Sequence, residues 1–168
     1  MYTTSITIDG VIDALATFLQ PFCNGLDIVR AQVNRTPMPG IACVVLTELL
    51  RIPLETSGIT YDTVNDAMVI TGPAQIDIQI DFYGPDSGDQ CNSVAAAFRT
   101  IYATSKFPDN IKPLFCSDGK QSPLITGEHQ WDSRWMLTAS LQYNPVVSVP
   151  QQFADMISNN VPIPADLL

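Results

Sequence analysis

The sequence predicts an α+β protein, with a mostly antiparallel sheet and helices packed on one face of it. From Ala74 to Phe82 every second residue is apolar, which is the period of a strand that buries one face. Turn residues follow at Gly84 to Gly88, and from Cys91 to Ser105 the apolar residues recur at helical spacing. A helix that follows a strand so closely packs across the strand's apolar face. We expect one core to contain Ile76, Ile78, Ile80, Val94, Phe98 and Ile101.

The N-terminal third is predicted to contain a helix and then two strands. Apolar residues from Val11 to Phe22 recur at helical spacing, and Thr7 or Asp9 can cap this helix. A short strand is predicted over Asp27 to Val33. Ile41 to Leu49 is dense in β-branched residues, which favours a central strand covered on both sides, with a helix as the alternative.

The middle of the chain is predicted to add two further strands before the one that begins at Ala74. Ile59 to Val64 predicts a short strand within a polar stretch, and Ala67 to Thr71 predicts the next. Gly72 and Pro73 alone separate this second strand from Ala74. We expect an antiparallel hairpin here, although Gly-Pro is not a favoured two-residue hairpin turn.

The remainder is predicted to hold a flexible loop, a long strand and a C-terminal arm. Residues 106–128 form the loop, in which Lys112 to Cys116 pairs briefly with a sheet edge. Trp131 to Tyr143 alternates between apolar and polar residues and is predicted to pair with the strand from Ala74. Residues 144–168 are punctuated by prolines, with a short helix near Gln151 to Ser158. All 168 residues are predicted to form one domain.

Charge and cysteine content argue against nucleic-acid binding and against a zinc site. The chain has 17 acidic and 8 basic residues, a formal net charge of -9, and this opposes binding to phosphate. The four cysteines show no C-x-x-C spacing, so they are interpreted as reduced residues, although their even number leaves a disulfide open. We expect no signal peptide, no membrane span and a reducing cytoplasm.

The sequence predicts no catalytic, cofactor-binding or metal-binding residue. His129 is the only histidine and carries no hydrolase or metalloprotease motif around it. Asp77 and Asp81 share one face of a strand, but four residues place them about 13 Å apart. Paired catalytic carboxylates stand roughly 5 to 10 Å apart. The Gly84 to Gly88 turn lacks the lysine of a phosphate-binding loop.

Uncharged apolar residues in the loop and the tail predict a subunit interface, because a monomer would expose them at a cost. Packing on the parent domain is the alternative. The candidate interface residues are Leu114, Phe115, Leu124, Ile125, Val161, Ile163, Leu167 and Leu168.

Four segments together resemble the tail-terminator, or neck, proteins of tailed bacteriophages. They are the helix from Ile8 to Phe22, the strand and turn IDIQIDFYGPDSGDQ from Ile76 to Gln90, the helix from Cys91 to Ser105, and the strand RWMLTASLQY from Arg134 to Tyr143. The resemblance spans nearly the whole chain. It rests on the order of elements and not on any catalytic residue.

The resemblance implies a structural virion protein of the tail or neck, assembled in the host bacterial cytoplasm. It would form a homo-oligomeric ring, commonly hexameric, that caps the head-proximal end of the tail tube and joins tail to head. The implied partners are the tail tube protein, the sheath protein in a contractile tail, and head-completion or connector proteins. DNA would pass through the ring without specific binding, and no cofactor is implied.

In such a ring Asp77 and Asp81 are candidates to face the channel, where they would repel DNA phosphates. Two other functions stay open on the sequence alone. A head-completion or connector protein of the same neck would show the same acidity. A small-molecule enzyme would need a concave polar site around His129.

Overall fold

A computed structural model describes residues 2–23, 25–32, 42–122, 124–125 and 131–151 of the chain. In chain order the elements are β1 (Thr3–Thr4), α1 (Ile8–Leu19), a 3-10 turn (Gln20–Phe22), β2 (Asp27–Arg30), β3 (Cys43–Pro53), β4 (Gly58–Asp62), β5 (Ala67–Thr71), β6 (Ala74–Tyr83), α2 (Ser87–Phe98), α3 (Ile101–Lys106), β7 (Ile111–Cys116), β8 (Lys120–Gln121), β9 (Leu124–Ile125), β10 (Trp131–Asp132), β11 (Arg134–Tyr143) and β12 (Val146–Pro150).

The main sheet has the strand order β2-β3-β6-β11-β7, and β8 also pairs with β11. Only the β2–β3 pair is parallel within this sheet. The predicted α+β class and mostly antiparallel sheet are confirmed. The strand predicted from Ala74 lies at the centre, where β11 pairs with it along its whole length from Arg134↔Tyr83 to Tyr143↔Ala74.

The helices α1 and α2 contribute to the hydrophobic core together with the apolar side of β6. Helix α1 begins where predicted, since the Thr7 hydroxyl accepts a hydrogen bond from the Gly10 N–H at 3.1 Å. Phe18, on the buried side of α1, contacts the Phe98 ring on α2 with centroids 5.7 Å apart. The fully buried residues of β6 are those that the period of two predicts: Ile76, Ile78, Ile80 and Phe82.

The predicted place of Ile101 in this core is wrong. The helix predicted through Ser105 ends at Phe98, and Thr100 caps a new one by accepting a hydrogen bond from the Tyr102 N–H at 3.3 Å. The second helix therefore follows its own axis, and Ile101 at its first position is 86% exposed. Ala103 and Phe107 are buried in its place.

A second sheet, of strand order β1-β12-β5-β4, continues the three central strands of the main sheet. The main ladder ends at Pro53↔Ala74, and the second begins at Gly58↔Thr71, five residues after Pro53. Likewise, β11 of the main sheet ends before Pro145, and β12 of the second sheet begins after it. Proline has no N–H to donate to a ladder, so prolines favour a break at this level.

The predicted hairpin between Ala67–Thr71 and the strand from Ala74 is wrong. Strand β5 pairs with β4 and β12, whereas β6 pairs with β3 and β11. Gly72-Pro73 is not a favoured two-residue hairpin turn, and here it does not reverse the chain. Strands β5 and β6 therefore follow one another in the same direction. The strands that pair with them are interrupted at the same level of the structure.

The loop predicted at 106–128 contains a six-residue strand of the main sheet, β7, paired with β11. The pairing predicted for Lys112 to Cys116 with a sheet edge is confirmed, and the register shift beside Pro113 accommodates the missing N–H. The predicted arm likewise begins with β12. The helix predicted near Gln151 to Ser158 lies outside the described residues except for Gln151, while the single domain and the flexibility of both segments stay predictions.

The turn between β6 and α2 depends on Gly84. Its φ of +111° lies in the region that side chains rarely adopt, and a Cβ there would lie 2.8 Å from the Cβ of Ala42. After this turn the Ser87 hydroxyl lies 2.8 Å from the Ser133 hydroxyl, which ties the start of α2 to the start of β11. This turn fixes the position of α2 against the sheet.

Candidate assembly surfaces

The face of β6 that points away from the core carries alternating glutamines and aspartates. Asp81 is only 3% exposed and lies across from Val45 on β3 and Met136 on β11. Its Oδ1 accepts hydrogen bonds from the Arg134 Nε at 3.1 Å and the Arg134 Nη2 at 3.0 Å. Gln79 donates to its Oδ2 at 2.8 Å. This carboxylate is therefore buried and paired with a cation.

Asp77, four residues earlier on the same face, has a different environment. Its Oδ1 accepts hydrogen bonds from the Ser140 hydroxyl at 2.6 Å and from the Gln75 amide at 2.8 Å. Both donors are neutral, and among the described residues no ion pair includes Asp77. Asp81 is therefore not exposed to solvent, although it shares this face with Asp77. That either residue faces a channel stays a prediction.

Two of the predicted interface residues lie exposed on β7. Phe115 is 64% exposed and Leu114 is 46% exposed. The register places Phe115 across from Ser140, on the same side of the sheet as Asp77. Leu124 and Ile125 form β9, and nothing further is described of their side chains. The others lie outside the described residues: Val161, Ile163, Leu167 and Leu168.

The second sheet presents a surface that the sequence did not predict. Ile59 pairs with Ile70 and Ile70 with Val147, while two residues along, Tyr61 pairs with Met68 and Met68 with Val149. Side chains alternate along a strand, so these residues share one side of the sheet. Ile59 and Tyr61 are 56% and 60% exposed, and the others are half-buried. We call this surface the apolar sheet face: Ile59, Tyr61, Met68, Ile70, Val147 and Val149.

The titratable groups that are described do not form a reactive site. Burial raises the pKa of the Cys23, Cys91 and Cys116 thiols to about 11, which keeps them protonated and weakly nucleophilic at neutral pH. A groove of about 340 Å³ beside Trp135 contains one of these thiols, Cys91, and a single carboxylate, Asp89. Within the described ranges no group of three or more His, Cys, Asp or Glu could hold a metal ion. His129 lies outside these ranges.

The model of the phage neck terminator protein family matches residues 9–164. The chain belongs to the phage neck terminator family. This confirms the resemblance carried by the order of elements. None of the curated proteins compared with it matches the chain.

As a phage neck terminator, the chain has a structural role in the neck, where the tail is joined. The family implies interaction with other tail or head proteins and a location in the tail or neck of the virion. Within the part of the chain that the structure describes, no helix has the length and apolar character needed to span a membrane.

The apolar sheet face was missed because it depends on a pairing between distant segments. The run AMVIT at Ala67 to Thr71 is apolar enough to indicate a buried strand. The pattern does not say that β12, nearly 80 residues later, completes the same sheet. A signal was available in Val146 to Pro150, since valines two or three residues apart favour a strand.

Proposed function

We propose that this phage neck terminator forms a homo-oligomeric ring that caps the head-proximal end of the tail tube and joins the tail to the head. Family membership over residues 9–164 supports the neck role. The exposed apolar side chains of Ile59, Leu114 and Phe115 support self-association, because exposed apolar surface marks protein interfaces. Six subunits is the count that the resemblance implies.

A closed ring uses heterologous contacts, in which one patch of a subunit meets a different patch of the next. The chain offers two candidate patches on separate strands. Phe115 and Leu114 lie on β7, which pairs with β11, and the apolar sheet face lies on β4, β5 and β12. The proposed partners beyond the ring are the tail tube protein, a sheath protein where the tail has one, and head-completion or connector proteins. Assembly takes place in the host bacterial cytoplasm.

Light scattering on a size-exclusion column tests the ring directly. We expect a species of about six chains of 18.3 kDa, either alone or after addition of the tail tube protein. Tube protein is the informative addition, because a terminator contacts the end of the tube. The protein is measured at concentrations up to about 100 μM, at which a complex with a micromolar dissociation constant is almost fully assembled. A chain that stays monomeric in both conditions at these concentrations would contradict the proposal.

We propose further that the face carrying Asp77 lines the channel through which DNA passes. Asp77 hydrogen-bonds only neutral donors among the interactions described, so its charge is available to repel phosphate. Asp81 is unsuited to a test of this idea, since its charge is buried and paired with Arg134.

Charge reversal at Asp77 is therefore expected to slow DNA delivery by a phage that carries the variant. Asp77→Lys places a cation where DNA passes, and Asp77→Asn removes the charge with little change of shape. Asp13→Lys is the matched control, because Asp13 is exposed on α1, which packs on the other side of the sheet. The measurement is the fraction of adsorbed phage that deliver DNA, at equal ring assembly. Normal delivery with Asp77→Lys would count against a channel position.

A further inference from the structure

Two adjoining grooves lie at the start of α2. The first, of about 210 Å³, lies between this helix and the end of β6, and its lining residues are Leu26, Ala42, Tyr83, Pro85, Asp86 and Gln90. The second, of about 380 Å³, lies between the helix and the 3-10 turn after α1, and its lining residues are Pro21, Phe22, Asp86, Asp89, Gln90 and Ser93. The two grooves meet at Asp86 and Gln90, which line both, and we call them the paired grooves.

The side chain of Gln90 is buried at the place where the grooves meet. It is 7% exposed, and its Oε1 atom is the single buried side-chain oxygen or nitrogen among the described residues that lacks a hydrogen-bond partner. A buried acceptor without a donor destabilises a folded chain, so natural proteins keep few of them. The terminal torsion of glutamine is broad, and a small rotation therefore presents this oxygen to a donor in either groove. The orphaned acceptor indicates a donor that a bound partner supplies.

Two carboxylates beside Gln90 also lack a cation. Asp86 and Asp89 are exposed, and neither takes part in an ion pair with any described residue. Asp86 occupies the N-cap position of α2, but its side chain does not accept the hydrogen bond that an N-cap aspartate commonly accepts. Of the described residues that line the paired grooves, none is basic. Three acceptor groups are therefore gathered here without a positive charge.

The charge at this end of α2 favours a cation over an anion. A helix N-terminus carries about half a positive charge, which two carboxylates more than offset. The Arg134 guanidinium lies over the Tyr83 ring, but it is already paired with Asp81. The other described arginines also have acidic partners of their own: Arg30 with Asp9, Arg51 with Glu48 and Arg99 with Asp118. A guanidinium for the paired grooves therefore has to come from outside the described residues.

The lining of the grooves suits an arginine side chain. Arginine has an apolar stem, which can pack along Phe22 or Pro85, and a charged head that stays beside the carboxylates. Its planar guanidinium has five N–H donors, enough for both carboxylates and for the Gln90 oxygen, whereas lysine is a point charge. The first groove is smaller than the roughly 300 to 1,000 Å³ of pockets that hold drug-sized ligands. A single side chain fits it better than a cofactor does.

We infer that the paired grooves receive an arginine side chain of a tail or head protein that binds this chain in the neck. The inference rests on the proposed function, which supplies such a partner. The guanidinium pairs with Asp86 and Asp89 and donates a hydrogen bond to the Gln90 Oε1 atom. The formal net charge of -9 on the chain also favours a partner with a basic surface, since complementary charges speed association and select the partner.

An arginine analogue tests the chemistry of the grooves without any partner protein. N-acetyl-arginine methylamide is titrated into the full chain up to about 20 mM, because a ligand of this size binds with a dissociation constant of the order of 1 mM. Saturation-transfer NMR measures the bound fraction, and we expect saturable binding. N-acetyl-citrulline methylamide has nearly the same shape without the charge, and it is expected to bind at least about tenfold more weakly.

Paired substitutions assign this binding to the grooves. Asp86→Asn with Asp89→Asn is expected to raise the dissociation constant of the arginine analogue by more than about tenfold, because both charged acceptors are lost. Asparagine keeps the shape of the side chain and is an equally good N-cap residue. The matched control is Asp13→Asn with Asp66→Asn, which removes the same charge from exposed positions elsewhere and should leave the dissociation constant unchanged. Circular dichroism checks that both variants are folded.

Gln90→Met distinguishes a binding residue from one that only stabilises the fold. Methionine has a similar length but no acceptor to bury, so the urea midpoint of the isolated chain is expected to rise. The dissociation constant of the arginine analogue is expected to rise by about threefold or more, because one hydrogen bond is lost. A lower urea midpoint with unchanged binding would show that the Gln90 amide serves the fold alone.

Phage that carry Asp86→Asn with Asp89→Asn test whether a partner uses the grooves. We expect the fraction of heads joined to tails, counted by electron microscopy, to fall at least about threefold. The purified variant is expected to keep the mass of the unsubstituted protein in light scattering, because the grooves serve a different partner from the ring contacts. A failure of the ring would change the mass of the unsubstituted protein and leave the titration intact, so the two failures are distinguishable.

Three results would overturn the inference. Binding of the arginine analogue that is absent, or no tighter than that of the citrulline compound, would show that the grooves do not select a guanidinium. Normal joining of heads to tails in the variant phage would show that no partner uses them. Tighter binding of the analogue to Arg35→Gln than to the unsubstituted chain would show that the chain fills the grooves with its own Arg35, which lies outside the described residues.

Discussion

Replacement of Arg134 by methionine is expected to lower the free energy of unfolding by about 3 kcal/mol. The substitution leaves the Asp81 carboxylate, whose side chain is 4% exposed, without the cation that contacts it at 3.0 Å. Gln79 still donates to it, but an amide does not compensate a buried charge. Methionine retains an apolar side chain beside the Tyr83 ring, over which the guanidinium lies. Urea unfolding monitored by circular dichroism gives the change.

The matched control is Arg51→Met, which breaks an ion pair with Glu48 at a half-exposed position. Exposed pairs contribute about 0 to 1 kcal/mol, so this loss should be the smaller by at least 2 kcal/mol. Adding Asp81→Asn to Arg134→Met removes the unpaired charge and is expected to recover at least half of the loss. Equal losses for Arg134→Met and Arg51→Met would contradict a buried ion pair on this face.

The different environments of Asp77 and Asp81 show what the period of a strand can and cannot predict. The alternation in β6 placed both residues on one face correctly. Their burial depends on the neighbouring strands: Asp81 lies between Val45 and Met136, whereas Asp77 lies between Leu50 and Ser140. These partners come from β3 and β11, which are distant in sequence. The pattern within β6 contains no information about them.

Local chemistry accounts for the elements that were predicted correctly. Thr7 caps α1, and the boundaries of β5 follow from its apolar run between turn residues. The same kind of signal explains the error at Ile101, because Thr100 is also a capping residue and starts a new helix. The helical spacing from Cys91 to Ser105 predicts one continuous helix and takes no account of this cap. A cap inside a periodic segment is therefore evidence for two helices.

The second sheet required pairings that no local pattern supplies. Breaks at Pro53, Pro73 and Pro145 occur at one level of the structure, yet they are far apart in the sequence. Each of these prolines locally indicates the end of a strand. Only the register of the strand pairs shows that three strands of the main sheet continue into the second sheet beyond the prolines. The apolar sheet face follows from this continuation, which is why the candidate interface from the sequence contained only loop and tail residues.

Replacement of Phe18 by alanine is expected to lower the free energy of unfolding by about 3 to 5 kcal/mol. Phe18 is 4% exposed and packs α1 against α2 and against Phe107, the residue that follows α3. Its ring centroid lies 5.7 Å from that of Phe98 and 5.3 Å from that of Phe107. Alanine leaves a cavity among rings that cannot all collapse into it. Thermal and urea unfolding of the purified chain measure the loss.

Phe115→Ala is the matched control, since it removes the same atoms from a side chain that is 64% exposed. Its effect on stability should stay within about 0.5 kcal/mol. If Phe115 lies in a subunit interface, Phe115→Ala should weaken assembly. Phe18→Ala should not, because at temperatures and urea concentrations below its unfolding transition it leaves the contact surfaces in place. A loss of stability for Phe115→Ala comparable to that for Phe18→Ala would contradict its exposed position on β7. Unchanged assembly would remove Phe115 from the candidate interface and leave the apolar sheet face as the surface to test.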